Sequence, residues 1–422
     1  MFDFIVKGIL RDRTRSLLPL ILIATGVMVT SLYFSFLRGY ERIAIAESAR
    51  FDTGHVKVVT RAYAEELDQK PYDLGLLGTG ALMAELKQDY PQFRWFERIQ
   101  FGGLVDVPDE QGETIAQGES AVMAVDMRNN RDEVELLHLE DALREGELPD
   151  EKNEIILSTG LFEKLKVKLG DKVSLITSTM YGGMTVGNYE VTGVVDFGIP
   201  VLDRGMMVLD LSDARLLLDM EDGAGEILGL FNDNEYHWQE AVEIVADFNA
   251  RYSDEDDEFS AYMLPIHKQG DMESTLVWMR SASSMMIGFF IFIMGLVLWN
   301  LGLINGIRRY GEMGLRLAIG ERAQHIYKSL IYEAIVIGFI GSVIGSLIGV
   351  LFGYYLQTHP FNMSNYLSNA TILMSPDISA DVNWGSYLVG FIPGLGATVV
   401  GAAFAGVAIF RRRTASLFKE LE

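Results

Sequence analysis

Four uncharged apolar stretches stand out along the chain, at residues 16–37, 285–304, 334–356 and 387–410. The hydrocarbon core of a bilayer is about 30 Å thick and a helix rises about 1.5 Å per residue, so roughly 20 apolar residues make one crossing. Each stretch reaches that length. A soluble helix normally keeps a polar face for water, and none of these four does. The pattern predicts a membrane α-helical protein with four transmembrane helices and a large mixed α/β extracytoplasmic domain inserted between helices 1 and 2. Strand-like runs recur inside that domain at residues 154–158, 173–177, 189–195 and 206–209, with a helical stretch at 159–166 and a turn at Leu169-Gly170-Asp171-Lys172. Ser212 is the expected cap of a helix that runs to Met220, with Asp213 in its first turn.

Charge orients the crossings, because Lys and Arg beside membrane helices tend to stay in the cytoplasm. Lys7, Arg11, Arg13 and Arg15 precede the first stretch; Arg308, Arg309, Arg316, Arg322 and Lys328 lie between the second and third; Arg411, Arg412, Arg413 and Lys419 follow the fourth. The segment 357–386 has no Lys or Arg. The expected organisation is therefore a cytoplasmic amphipathic helix at 1–15, transmembrane helix 1 at 16–37, the extracytoplasmic domain at 38–284 and helix 2 at 285–304. A cytoplasmic segment at 305–330, helix 3 at 331–356, an extracytoplasmic loop at 357–386, helix 4 at 387–410 and a cytoplasmic tail at 411–422 complete it. Both termini are expected inside. Residues 1–15 read equally as an interfacial helix, with Phe2, Ile5, Val6 and Ile9 on one face, and as a basic anchor. The start of the chain also imitates a signal peptide ending at Ala44-Ile45-Ala46, but its apolar run is too long for one.

Residues 38–284 hold 22 Lys and Arg against 49 Asp and Glu, a balance of −27 in a chain of net charge −23. A surface this acidic repels phosphates and excludes nucleic-acid binding; its plain reading is solubility. The acidic run 254–258 lacks the alternating ligands and turn glycine of a calcium loop and reads as a solvated loop. There are no cysteines, so disulfides and thiolate chemistry are excluded. No Gly-Lys dipeptide supplies a phosphate loop, no Gly-x-Ser-x-Gly elbow is present, and the six histidines include no pair at metal-ligand spacing. No catalytic constellation and no metal site is expected.

Two patterns carry function. In the second basic segment, Arg308, Glu312 and Arg316 are spaced i, i+4, i+8 on a helix, opposite an apolar stripe of Ile307, Tyr310, Met313, Gly314 and Leu317. Gly320 is its expected stop. Such a helix is either a rigid lever for a soluble partner or a basic loop that fixes topology. In the third stretch, Gly338, Gly341, Gly345, Gly349 and Gly353 form a small-residue stripe, the last four at strict four-residue spacing, which lets helices pack closely in lipid. Glu333 stands at the inner end of that helix, as an interfacial anchor or a relay.

The run from Arg308 to Gly320 resembles the Arg-Arg-x-x-Glu-Ile-Gly-x-x-Arg-Ala-Ile/Leu-Gly signature of the MacB/FtsX/LolC superfamily of ABC transporter permeases. Arg308, Arg309, Glu312, Gly314, Ala318, Ile319 and Gly320 match it, Met313 stands for the usual Ile, and Leu317 departs, with Arg316 one position early. The resemblance extends to residues 10–26, to Ile331-Tyr332-Glu333-Ala334, to Glu154-Ile155-Ile156-Leu157 and to residues 168–173. Gly54-His55-Val56-Lys57-Val58 is similar to the opening of the lipoprotein-releasing LolC and LolE members. The resemblance implies an inner-membrane permease that is not itself an enzyme. Its coupling residues would be Arg308, Arg309, Glu312, Met313, Gly314, Arg316, Leu317, Ala318 and Gly320. The implied partners are two copies of an ABC ATPase subunit that binds the ATP and Mg, a second permease copy or a related permease, membrane lipids, and lipoprotein or other lipophilic cargo. The alternative is an FtsX-like regulator that activates an extracytoplasmic cell-wall hydrolase.

Overall fold

A computed structural model describes residues 13–109, 111–270, 272–308, 315–362 and 377–411. Residues 43–276 form one compact unit, and residues 13–42, 277–361 and 378–411 form the other. Of the expected amphipathic helix at 1–15, residues 1–12 lie outside the described residues, as does the tail beyond Arg411, and residues 13–15 are the first of the long helix that follows.

The first unit is a mixed α/β domain. The strands of its main sheet are β1 (Val56–Thr60), β2 (Phe93–Pro108), β3 (Thr114–Val125), β4 (Leu143–Gly146), β5 (Glu154–Ser158), β6 (Lys172–Ser178), β7 (Met184–Val195), β8 (Met206–Asp210), β9 (Glu226–Phe231) and β10 (Ala261–Pro265). They form one ten-stranded sheet in the order β10-β1-β9-β2-β3-β8-β5-β7-β4, and β6 bridges β2 and β7. Strands β2, β3, β8, β5, β7 and β6 thereby close into a ring. Every strand of the ring sends alternate apolar side chains inward: Ile99 and Val105, Val122, Leu209, Ile155, Val191 and Leu175 are buried in one cluster, as the two-residue side-chain period requires. Strand β2 is the seam. Its first half, Phe93–Arg98, pairs with β9, and its second half, Ile99–Pro108, pairs with β3.

The expected strands at 154–158 and 206–209 match β5 and β8 to within a residue, and the run 173–177 lies within β6. The helix after β8 differs in its cap. It spans Leu211–Leu218, and Asp210 is the cap, accepting from the Ser212 amide. Ser212 and Asp210 are both good cap residues; Asp210 takes the role because its backbone is extended while Ser212 is already helical. Helix Trp238–Tyr252 lays Ala241 and Phe248 on the β1–β9–β10 part of the sheet. From it, Asn249 accepts from the Met263 amide and donates to the Met263 carbonyl, at 2.8 and 2.9 Å. This occupies the free edge of β10, which would otherwise invite strand pairing.

Among the described residues, four helices are long and apolar enough to cross a membrane. We name them α1 (Arg13–Ser48), α2 (Met272–Arg308), α3 (Ala323–Thr358) and α4 (Thr398–Arg411, preceded by the turns at Trp384–Leu388 and Ile392–Ala397). Helix α1 runs well past its apolar stretch into residues 38–48, which carry helix-forming Glu and Arg, and Arg38 and Glu41 pair there at i, i+3; α2 begins before its apolar stretch, at Met272. The fourth apolar stretch is not one regular helix. It breaks after Leu388 and winds as a π-helix over Ile392–Ala397, because Pro393 has no amide to donate and Gly390, Gly394 and Gly396 leave the backbone loosely held.

Candidate functional site

The sequence-predicted residues fall into two groups, one only partly within the described residues. Arg308 is the last residue of α2, and Arg309, Glu312, Met313 and Gly314 lie outside the described residues. From Leu315 the chain is helical to Ala318, and then stops as a glycine-capped helix does. Gly320 has φ +94°, the Gly320 amide donates to the Leu317 carbonyl at 3.0 Å, and the Glu321 amide donates to the Arg316 carbonyl at 3.0 Å. These two bonds are the Schellman pair, which needs a residue free of Cβ strain at the left-handed position. Gly320 is therefore the helix stop that the sequence indicates. Leu315 and Ile319, one turn apart, are 62% and 77% exposed, so this short segment presents an apolar edge beside Arg316 and Ala318.

The glycine stripe of α3 is a packing seam. A Cβ added at Gly345 would lie 2.4 Å from the Ala24 carbonyl oxygen, and one at Gly349 would lie 2.7 Å from that of Met28. At Gly341 the neighbour is Ile23, at Gly353 it is Val382 and Ser35, and at Gly338 it is Leu395 with the Gly394 carbonyl. Four of the five therefore face α1, and Gly338 faces the π-turn before α4. Backbones approach this closely only where no side chain intervenes. Serines complete the seam: Ser35 Oγ donates to the Ser386 hydroxyl at 2.9 Å, and Ser346 Oγ donates to the Tyr387 carbonyl at 3.2 Å, satisfying polar groups that lipid cannot.

A third group has no counterpart in the expected site. Helix α1 ends in a π-helical turn, Ala49–Thr53, and charged side chains converge on it inside the α/β unit. Arg98, fully buried, donates Nη1 to the Arg50 carbonyl and Nε to Glu133, each at 2.8 Å. Glu133 also accepts from the Asp126 amide. Lys57 pairs with Glu226 at 2.5 Å, and Lys70 pairs with Asp52 at 2.7 Å. Burial alone would lower the pKa of Lys57, but Glu226 and Asp52 more than offset it and raise the pKa. Burial likewise works to raise the pKa of Asp52, while Lys57 and Lys70 prevail and hold it down to about 2. All of these charges are balanced by neighbours. The available signal is a charge inside an apolar strand, as in Val56-Lys57-Val58-Val59. Strand alternation assigns Lys57 to the solvent face, but every residue of β1 is buried.

Among the described residues no group of His, Asp and Glu is arranged to hold a metal, and the acidic run 254–258 is an exposed loop.

Four apolar helices and a glycine seam define a polytopic membrane protein. Residues 284–413, which contain the short glycine-stopped helix and the seam of α3, match the family described as "FtsX-like permease C-terminal". That segment is similar to the FtsX-like permease C-terminal domain. Among solved structures it is similar to the periplasmic region of MacB from Actinobacillus actinomycetemcomitans, with 13% identity over 52% of this chain and 91% of that one and a TM-score of 0.34. No curated protein matches it.

Proposed function

We propose that this chain is the membrane subunit of an ABC transporter of the mechanotransmission type. A separate ATPase docks on residues 308–320, and ATP-driven closure moves the helices so that lipoprotein or other lipophilic cargo is handled outside the membrane. The observation that carries the reading is the glycine-stopped helix at 315–320, which lies within the family-matched segment and leaves Leu315 and Ile319 exposed. An apolar edge of this kind on a short rigid helix suits insertion into a groove of a soluble partner. The sequence itself has no phosphate-binding loop, so ATP and Mg belong to that partner. A second permease copy or a related permease fits the face of α2 formed by Met285, Phe289, Phe292 and Leu296, all exposed in the single chain.

Glu312→Ala and Gly314→Trp are each expected to lower permease-stimulated ATPase activity at least tenfold, about 1.4 kcal/mol of coupling, with membrane insertion unchanged. Normal stimulation in both variants would refute the docking assignment. The proposed orientation places residues 43–276 outside. On this cysteine-free sequence, Asp256→Cys should react with an impermeant thiol reagent once the outer membrane is permeabilised, and Arg322→Cys should not. The reverse labelling would invert the topology.

A further inference from the structure

Helix α1 is a single element from Arg13 to Ser48 and continues as the π-turn Ala49–Thr53. Its last residues, from Ile43, belong to the α/β unit. The covalent route from this helix into the sheet passes through Gly54, at φ +61°, where a Cβ would lie 2.5 Å from the Val56 carbonyl oxygen. Glycine takes this positive-φ backbone without Cβ strain, and the Gly54 amide closes the π-turn by donating to the Ala49 carbonyl at 3.0 Å.

Side chains add further ties across this junction. Arg98 reaches across to the Arg50 carbonyl, one of the helix-terminal acceptors that would otherwise go unpaired, and simultaneously holds Glu133 on the helix Arg131–Leu136. Arg50 in turn donates Nη2 to the Leu137 carbonyl at 2.6 Å. Phe51 packs edge-on against Phe197, with ring centroids 5.5 Å apart. A guanidinium suits this work because its planar fork fixes two acceptors in one geometry, whereas an ammonium is a point charge on a flexible stem. Arg98 also sits where the load would spread, at the midpoint of β2, between the half paired with β9 and the half that runs into the ring.

We propose that Arg98, with Glu133, is a positioning residue of the transport stroke: it ties the end of α1 to the seam strand β2 and so carries displacement of α1 into both halves of the α/β domain. This rests on the permease reading above. A merely structural ion pair at the same place would stabilise the domain without governing its response to nucleotide, and that difference is measurable.

The test uses the full chain assembled with its ATPase subunit in lipid nanodiscs, spin-labelled at introduced cysteines and read by pulsed distance measurement with and without a non-hydrolysable ATP analogue. One label pair, Val242→Cys with Val186→Cys, both exposed, spans the two halves of the domain and reports on it; a second, Met285→Cys with Leu351→Cys, reports on the membrane helices. In the chain with Arg98 and Glu133 intact, both pairs should shift on nucleotide binding. In Arg98→Met/Glu133→Gln, where Gln keeps an acceptor for the Asp126 amide, the membrane pair should shift as before and the domain pair should stay at its nucleotide-free distance. If that variant is not recovered folded, Arg98→Lys serves, with the domain shift expected to fall by at least half. A domain shift of unaltered size in the variant overturns the inference, as does a domain pair that never responds while the membrane pair does. If neither pair responds in the intact chain, the permease reading fails and the inference with it.

Discussion

Lys57→Met should destabilise the α/β unit by about 3–5 kcal/mol, because it strands a fully buried Glu226 carboxylate without its cation. The desolvation cost of that carboxylate is met in the intact chain by Lys57 and by Gln100, which donates to Glu226 at 2.9 Å. Removing both charges is a different matter. Lys57→Met/Glu226→Gln retains an acceptor for Gln100 and leaves no buried charge, so it should regain most of the lost stability. The neighbouring Lys70–Asp52 pair supplies the contrast, since its side chains are 31% and 39% exposed and water screens it; Lys70→Met should cost no more than about 1 kcal/mol. Urea unfolding of the purified chain, followed by tryptophan fluorescence, measures all three. Equal losses for Lys57→Met and Lys70→Met would show that burial does not set the balance.

The second large effect is expected in the glycine seam. At Gly345 even a methyl group would meet the Ala24 carbonyl 2.4 Å away and Val27 Cβ at 2.7 Å, and backbone cannot yield as a flexible side chain does. Gly345→Leu must therefore push α3 away from α1, at a cost of about 1–3 kcal/mol or more for overpacking, and should reduce the yield of folded protein in mild detergent. Gly288 on α2 is the control, because nothing lies within 4 Å of its Cβ position. Gly288→Ala should be neutral or slightly stabilising, by up to about 1 kcal/mol, through helix propensity alone. The comparison is read by thermal denaturation of the two variants in the same detergent. Tolerance of leucine at 345 would mean that the stripe is not a close contact.

These sites differ in how far the sequence reveals them. The four-residue glycine spacing of α3 and the Gly320 stop are local patterns, and local geometry decides them. The break in the fourth apolar stretch was also signalled, by Gly390, Pro393 and Gly394 within a few residues, but length and hydropathy alone cannot separate one continuous helix from two pieces. The ring is of another kind. It depends on β3 pairing in parallel with β8 some 85 residues later, Ala121 against Met206, and nothing in either segment names the other. The charges around Arg98 and Lys57 are hidden for the same reason: alternation along a strand says which residues share a face, while burial of both faces depends on what packs from elsewhere. The convergence of Arg98, Glu133 and the end of α1 therefore emerges only with the tertiary structure.

The central claim is that the chain serves a separate ATPase. The measurement that addresses it most directly is affinity purification of the tagged chain from native membranes, with mass spectrometry of the proteins that accompany it. Recovery of an ATP-binding subunit with one or two kinds of permease is the predicted result, and a co-purified lipoprotein would indicate the cargo. A purification that yields no ATP-binding subunit would contradict the account.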